Sequence, residues 1–192
     1  MKKSILLGIV ACALLAGLYR PAAAGMIVGR AVLKMQFSGG YAELNVREES
    51  DGKQNMIVGY SPLGPTKLTA MPGGYEGWIY GTRLKLACDA QGCSGTGLSG
   101  PANFKITDGG AAYEGGMNHN FIVLRRTETR LEVLSQNTLY LTKKEDGSWS
   151  GQGYFGRKSF SAELVFEGQA DKFLKDPALL LAWLGSFFGL QP

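Results

Sequence analysis

The amino-acid sequence predicts an all-β fold, an antiparallel meander closed into a barrel or curled into a two-sheet sandwich, with a short apolar helix at the C-terminus. Apolar and polar residues alternate with a period of two in many segments, which is typical of strands with one buried face. Asp-Gly steps separate several of these segments, and the 28 glycines suit tight turns. Closure of the sheet is expected because a single open sheet of this size would leave unpaired edges.

The first 24 residues predict a secretory signal peptide. Lys2 and Lys3 precede 14 apolar residues, and a small-residue tripeptide ends at Ala24. The apolar stretch is shorter than the roughly 20 residues that a membrane span needs. We therefore expect cleavage near Ala24 and a bacterial protein that is periplasmic or secreted. Lipidation of Cys12, or an uncleaved anchor, is the alternative.

Eleven segments after the leader carry strand patterns. In the segment 41–47, for example, Ala42, Leu44 and Val46 form an apolar face between polar neighbours. The segments are residues 26–37, 41–49, 55–61, 76–88, 92–98, 102–107, 120–126, 129–135, 138–144, 148–156 and 159–167. Short turns join most of them, so we expect one antiparallel β domain over residues 25–170.

The charge balance argues against nucleic acid as a partner. The chain has 20 basic and 16 acidic residues, and three of the basic ones lie in the leader. Removal of the leader leaves a net charge of +1, without the excess of positive charge that nucleic-acid binding proteins show.

Two cysteines remain once the leader is removed. Cys88 and Cys93 flank a four-residue stretch that is typical of a hairpin turn. Cysteines across such a turn come within bonding range, and an oxidising compartment preserves the bond. The sequence therefore predicts a disulfide that fixes one hairpin.

Catalytic signals are few. Glu76 and Glu114 stand in two similar Tyr-Glu-Gly units, 38 residues apart. These units are either repeated hairpins of the meander or a chance similarity. Such carboxylates could act as an acid and base pair if they lay about 5–9 Å apart. The single histidine, His119, follows a Gly-rich turn, where a side chain that is exposed or hydrogen-bonded to the backbone is expected. We expect no metal site and no cofactor.

Aromatic residues in Gly-rich strands are the candidate binding residues. They either line a ligand cavity or pack the core of a curled sheet. The candidates are Tyr75, Trp78, Tyr113, Trp149 and Tyr154.

Residues 171–192 change character and predict a helix. Asp176 suits the N-cap and Pro177 the first turn, and the following residues are apolar on every side. Such a helix must be covered. It either packs on the β domain, closing one end of a barrel or lying across the sheet, or it docks to a partner protein or to a membrane surface as a peripheral contact. The residues expected to make these contacts are Leu180, Trp183, Leu184, Phe187 and Phe188.

These observations favour an exported, non-enzymatic protein of the cell envelope. The expected partner is a lipid or other hydrophobic ligand, or an envelope protein. The alternative is a small periplasmic hydrolase that acts on envelope glycans or lipids through carboxylates.

Overall fold

A computed structural model describes residues 26–50, 52, 54–97 and 100–190. The predicted signal peptide, with Cys12, lies outside these residues. The described part of the chain forms fourteen strands, which fall in order along the sequence. They are β1 (Met26–Phe37), β2 (Gly40–Ser50), β3 (Asn55–Ser61), β4 (Gly64–Met71), β5 (Gly74–Ile79), β6 (Thr82–Cys88), β7 (Gly92–Thr96), β8 (Pro101–Thr107), β9 (Ala112–Met117), β10 (Asn120–Arg126), β11 (Arg130–Leu134), β12 (Thr138–Lys143), β13 (Trp149–Phe155) and β14 (Lys158–Gly168).

The strands form a closed antiparallel barrel. Each strand pairs with its neighbours in sequence, and β1 pairs with β14 to close the wall. The closing register runs from Gly29 opposite Gly168 to Phe37 opposite Phe160. The prediction of an all-β antiparallel meander is confirmed, and of its two closures the barrel is the one that forms.

The expected number of strands was wrong. Strands β4 and β9 were missed because they contain proline or glycine and few large apolar residues, so that their alternation is weak. The segment 76–88 is two strands, since Tyr80 and Gly81 form a turn with φ values of 52° and 77°. No Asp-Gly step marks that turn, which explains the omission.

The barrel lumen contains the C-terminal helix. A 3₁₀ segment, Ala170–Lys175, follows β14 and leads into a helix over residues 177–188, here called α1, with a π-helical middle at Leu181–Gly185. Residues 178–189 are all buried. Helix α1 contacts β5, β6 and β10, and its Phe187 and Phe188 rings pack on β13 and β14. Because β5 and β6 lie across the barrel from β13 and β14, the helix fills the interior.

Polar groups hold both ends of α1. At the end where the helix begins, called the Asp176 end, the Asp176 carboxylate accepts a hydrogen bond of 3.1 Å from the Leu179 amide. At the opposite, Leu190 end, the Asn120 amide donates to the Gly189 carbonyl at 2.6 Å. Asn137 donates there to the carbonyls of Phe188 and Leu190. These contacts satisfy helix-terminal groups that would otherwise be unpaired inside the barrel.

The outer wall around the closing strands carries charge. Arg30 of β1 lies 3.7 Å from Glu43 of β2 and 3.7 Å from Glu167 of β14. Lys34 and Glu163 are 4.0 Å apart. Such exposed pairs contribute little to stability individually. Their charged groups are favourably hydrated, so this face of the wall is polar.

Candidate functional site

A groove of about 580 Å³ lies on the outside of the barrel, across β7 to β10. We call it the outer groove. Its lining includes polar, charged and aromatic side chains. The residues are Asp89, Gln91, Gly92, Cys93, Ser94, Asn103, Phe104, Lys105, Thr107, Glu114, Gly115 and Phe121.

Glycine permits the close strand packing beneath this groove. A Cβ atom at Gly115 would collide with the carbonyl oxygen of Asn103, and one at Gly92 would collide with that of Phe104. Any larger residue at either position would force neighbouring strands apart. The outer groove therefore depends on two positions that only glycine fits.

The disulfide forms one border of the outer groove. Cys88 and Cys93 are bonded and lie directly opposite each other on β6 and β7. In the intervening turn, the Asp89 carboxylate accepts hydrogen bonds from the amides of Gln91 at 2.7 Å and Gly92 at 3.1 Å. The predicted disulfide is confirmed, and it fits a protein of an oxidising compartment.

An exposed aromatic ring stands at the other side of the outer groove, with charges between. Phe121 of β10 has 64% of its surface exposed and lies opposite Gly116, so the directly opposite position on β9 has no side chain. Glu114 is paired in register with Lys105 and lies 3.8 Å from the Arg125 guanidinium. The groove thus combines one apolar anchor with charges of both signs.

A second cleft, of about 460 Å³, lies at the Asp176 end. There the Tyr75 hydroxyl donates a 2.7 Å hydrogen bond to Asp176. Burial, and then this hydrogen bond, raise the pKa of the Tyr75 phenol well above its ordinary value. Beside it, Lys172 forms an ion pair with the buried Glu48, whose other oxygen accepts a 2.9 Å hydrogen bond from Asn55. These contacts tie the start of α1 to the barrel wall.

The structure does not bring the five candidate aromatics together. Tyr75, Tyr113 and Trp149 face inward, and Tyr113 lines a cleft of about 130 Å³ beside Pro177 and Leu180. Trp78 and Tyr154 face outward and are half exposed.

The five helix residues expected to make contacts lie in the lumen. All are buried, with Trp183 at 1% exposure. They are Leu180, Trp183, Leu184, Phe187 and Phe188.

The two Tyr-Glu-Gly units occupy equivalent places on β5 and β9. In both, the tyrosine faces inward, while the glutamate is paired in register with a lysine, Lys85 for Glu76 and Lys105 for Glu114. Four strand spacings separate Glu76 from Glu114, roughly 19 Å along the wall. The two carboxylates therefore do not form an acid and base pair. His119 is exposed at the β9–β10 turn.

Sequence reasoning missed Phe121. Its neighbours Ile122 and Leu124 are buried, so strand alternation already placed Phe121 on the outer face. An aromatic residue on the polar side of such a strand was the signal that could have identified it.

Two further observations concern the described ranges. No three or more His, Cys, Asp or Glu residues cluster there in a way that could hold a metal ion. None of the helices combines the length and apolar character needed to cross a bilayer.

Comparison with known proteins identifies a weakly similar structure and no family. No known family matches the chain, and no curated protein matches it. A solved structure, that of a DUF1329 family protein from Desulfovibrio piger, is similar at 10% identity with a TM-score of 0.25, over 82% of this chain and 92% of the other. A similarity this weak supports no argument about function.

Proposed function

We propose that the protein is exported and acts by binding an envelope protein at the outer groove. The observation that carries this proposal is the position of the groove. The lumen is occupied by α1, so the barrel is a filled scaffold, and a groove of about 580 Å³ is open on its outside.

The composition of the outer groove supports a protein partner. Protein interfaces are enriched in aromatic residues and carry charged residues mainly at the rim. Phe121 supplies an exposed aromatic side chain at one side of the groove, and Asp89, Lys105 and Glu114 supply charges across the rest of it. The disulfide and the close strand packing hold the floor rigid, which reduces the entropy lost on binding.

Export is supported by the disulfide together with the predicted leader. A bond between cysteines persists in the periplasm or medium and is rare in the cytosol. Cys88 and Cys93 form such a bond.

Two other hypotheses about function have less support. A hydrophobic ligand would need apolar space, and the apolar lumen is packed with the side chains of α1. Hydrolysis through Glu76 and Glu114 would need the two carboxylates within about 9 Å of each other. Each instead lies near a cation, at 3.6 Å for Glu76 and Lys85 and at 3.8 Å for Glu114 and Arg125.

Photo-crosslinking tests the proposal. A photoreactive phenylalanine analogue replaces Phe121 in the protein expressed in its native cells, and intact cells are irradiated. The expected result is one discrete covalent adduct with an envelope protein. The matched control carries the analogue at Tyr60, an outer-wall aromatic on β3 with 67% exposure.

The controls decide the outcome. Phe121→Ala should weaken binding of the crosslinked partner at least tenfold and leave the unfolding midpoint unchanged. Absence of an adduct from position 121, or the same adduct from position 60, would refute the proposal.

A further inference from the structure

A row of neutral side chains crosses the outer wall near the Leu190 end. Its five members are register partners on five adjacent strands, β12, β13, β14, β1 and β2, and we call them the neutral row. They are Tyr140, Gln152, Ser161, Gln36 and Tyr41.

A groove of about 330 Å³ lies over the middle of this row and is lined by Gln152, Ser161 and Gln36. Ser38, Tyr154 and Ser159 extend its lining on the side of the Leu190 end. All of the lining residues are neutral, and most carry a hydroxyl or amide. They are Gln36, Ser38, Gly151, Gln152, Gly153, Tyr154, Ser159, Phe160 and Ser161.

Charged residues lie just outside the groove. The next outward row towards the Asp176 end contains Glu163, Lys34 and Glu43 as register partners. On the other side, Arg157 lies in the β13–β14 turn and Lys158 is the first residue of β14. The neutral zone is therefore bounded by ionic groups, and the groove itself offers none to a charged ligand.

Internal hydrogen bonds fix two members of the row. The Gln36 amide nitrogen donates to the carbonyls of Phe37 and Gly40, both at 3.1 Å, which leaves its side-chain oxygen as the group presented outward. The Tyr41 hydroxyl donates to Glu43 at 2.8 Å. Groups that are already oriented lose less entropy when they bind a ligand.

Two tyrosine rings flank Gln152. Tyr140 lies opposite Gln152 and is 41% exposed, and Tyr154 lies two residues further along β13 and is 50% exposed. Tyr140 and Tyr154 are diagonal neighbours, about 7–8 Å apart. Gln152 therefore has one partly exposed tyrosine beside it on β12 and another on its own strand, and Tyr154 also lines the groove. Tyrosine rings offer apolar contact area, and the amide offers hydrogen bonds.

From this geometry we propose that the groove binds a neutral carbohydrate chain. Pyranose rings present an apolar face that stacks on tyrosine and hydroxyls that pair with amides, and neutral sugars require no counter-charge. An extended peptide would bind by adding a strand to a free sheet edge, but β13, β14 and β1 are each paired on both sides. This site lies on a different part of the wall from the outer groove and does not depend on it.

Calorimetry with defined oligosaccharides tests the proposal. The mature protein is titrated with neutral hexasaccharides of glucose, mannose, galactose and N-acetylglucosamine, and with a galacturonate hexamer as the charged probe. At least one neutral chain should bind, and the charged probe should bind at least tenfold more weakly. Failure of every neutral chain to bind, or equal binding of the charged one, would overturn the proposal.

Variants locate the site. Gln152→Ala and Tyr154→Ala should each weaken binding at least tenfold, because both side chains line the groove and neither belongs to the core. Tyr60→Ala, on the outer face of β3, is the matched control and should bind as the wild type does. Unchanged unfolding midpoints establish that the variants are folded. Wild-type affinity in both groove variants would refute the assignment.

Discussion

The Tyr80 hydroxyl donates a 2.7 Å hydrogen bond to the backbone carbonyl of Trp183, and so joins a hairpin turn of the wall to the middle of α1. Tyr80 has a φ of 52°, a conformation that non-glycine residues rarely adopt. Its ring also packs edge-on against Phe187, with centroids 5.7 Å apart. The turn conformation and the position of the helix are therefore mutually supporting.

Tyr80→Phe should destabilise the protein by about 1 kcal/mol, because it keeps the ring but removes one donor to the buried Trp183 carbonyl, which also accepts from the Ser186 amide. Urea unfolding measures the change. Tyr60→Phe is the matched control, since Tyr60 is exposed, and it should change the free energy of unfolding by less than about 0.5 kcal/mol. Equal effects of the two substitutions would contradict the importance of the bond.

Asn137→Ala should cost about 2–3 kcal/mol. Asn137 is fully buried, donates to the carbonyls of Phe188 and Leu190 and accepts from the Gly156 amide at 2.8 Å. Its loss leaves all three groups short of a partner. The exposed Asn103 provides the control, and Asn103→Ala should be nearly neutral in the same denaturation experiment.

Leu184→Ala should cost about 2–5 kcal/mol, because it leaves a cavity in the centre of the filled barrel. Leu63 is 43% exposed, so Leu63→Ala should remain within about 0.5 kcal/mol of the wild type. Thermal unfolding of both variants checks this prediction. A Leu184→Ala protein as stable as the Leu63→Ala protein would show that α1 is not part of the core.

Stability should fall in alkali above about pH 10. Burial, and for Tyr75 also the bond to Asp176, raise the pKa of the Tyr75 and Tyr80 phenols in the folded state. Above the ordinary tyrosine pKa the unfolded chain releases these protons while the folded chain retains them. The contribution is thus complete below about pH 10 and is lost as the pH rises towards the folded-state pKa values.

Urea unfolding between about pH 9 and about pH 11 measures this loss. The Tyr75→Phe/Tyr80→Phe double variant should show a flatter dependence. A wild-type profile as flat as that of the double variant would contradict the prediction.

Replacing both Cys88 and Cys93 with alanine should lower stability by less than about 3 kcal/mol, since the disulfide closes a short loop. Denaturation of the double variant and of the wild type, each with and without reductant, measures the effect. Reductant should not change the stability of the variant.

Free thiols at both positions in protein isolated from the envelope would contradict the expected export.

The local features of this protein were predictable from sequence. Alternation in β1, β2 and β14 identifies those strands because each has a buried and an exposed face, and side-chain orientation reverses at every residue. The Cys88–Cys93 bond and the Asp176 cap of α1 could also be predicted, because each joins residues only a few positions apart.

The candidate sites were less predictable. Five aromatics in Gly-rich strands seemed equivalent in sequence, yet Tyr75 faces inward to Asp176 while Tyr154 faces outward onto the neutral row. The neutral row depends on pairing among β12, β13, β14, β1 and β2, which brings the two ends of the described chain together. No local pattern contains that register.

The class of the fold, the disulfide and the apolar helix follow from local patterns in the sequence. Closure of the wall into a barrel, with the helix inside it, follows from the tertiary structure. Closure by β1 and β14, and the contacts of α1 with β5, β6 and β10, join segments far apart in the chain. The apolar residues of a helix indicate that it must be covered. Which residues cover it depends on the fold of the rest of the molecule.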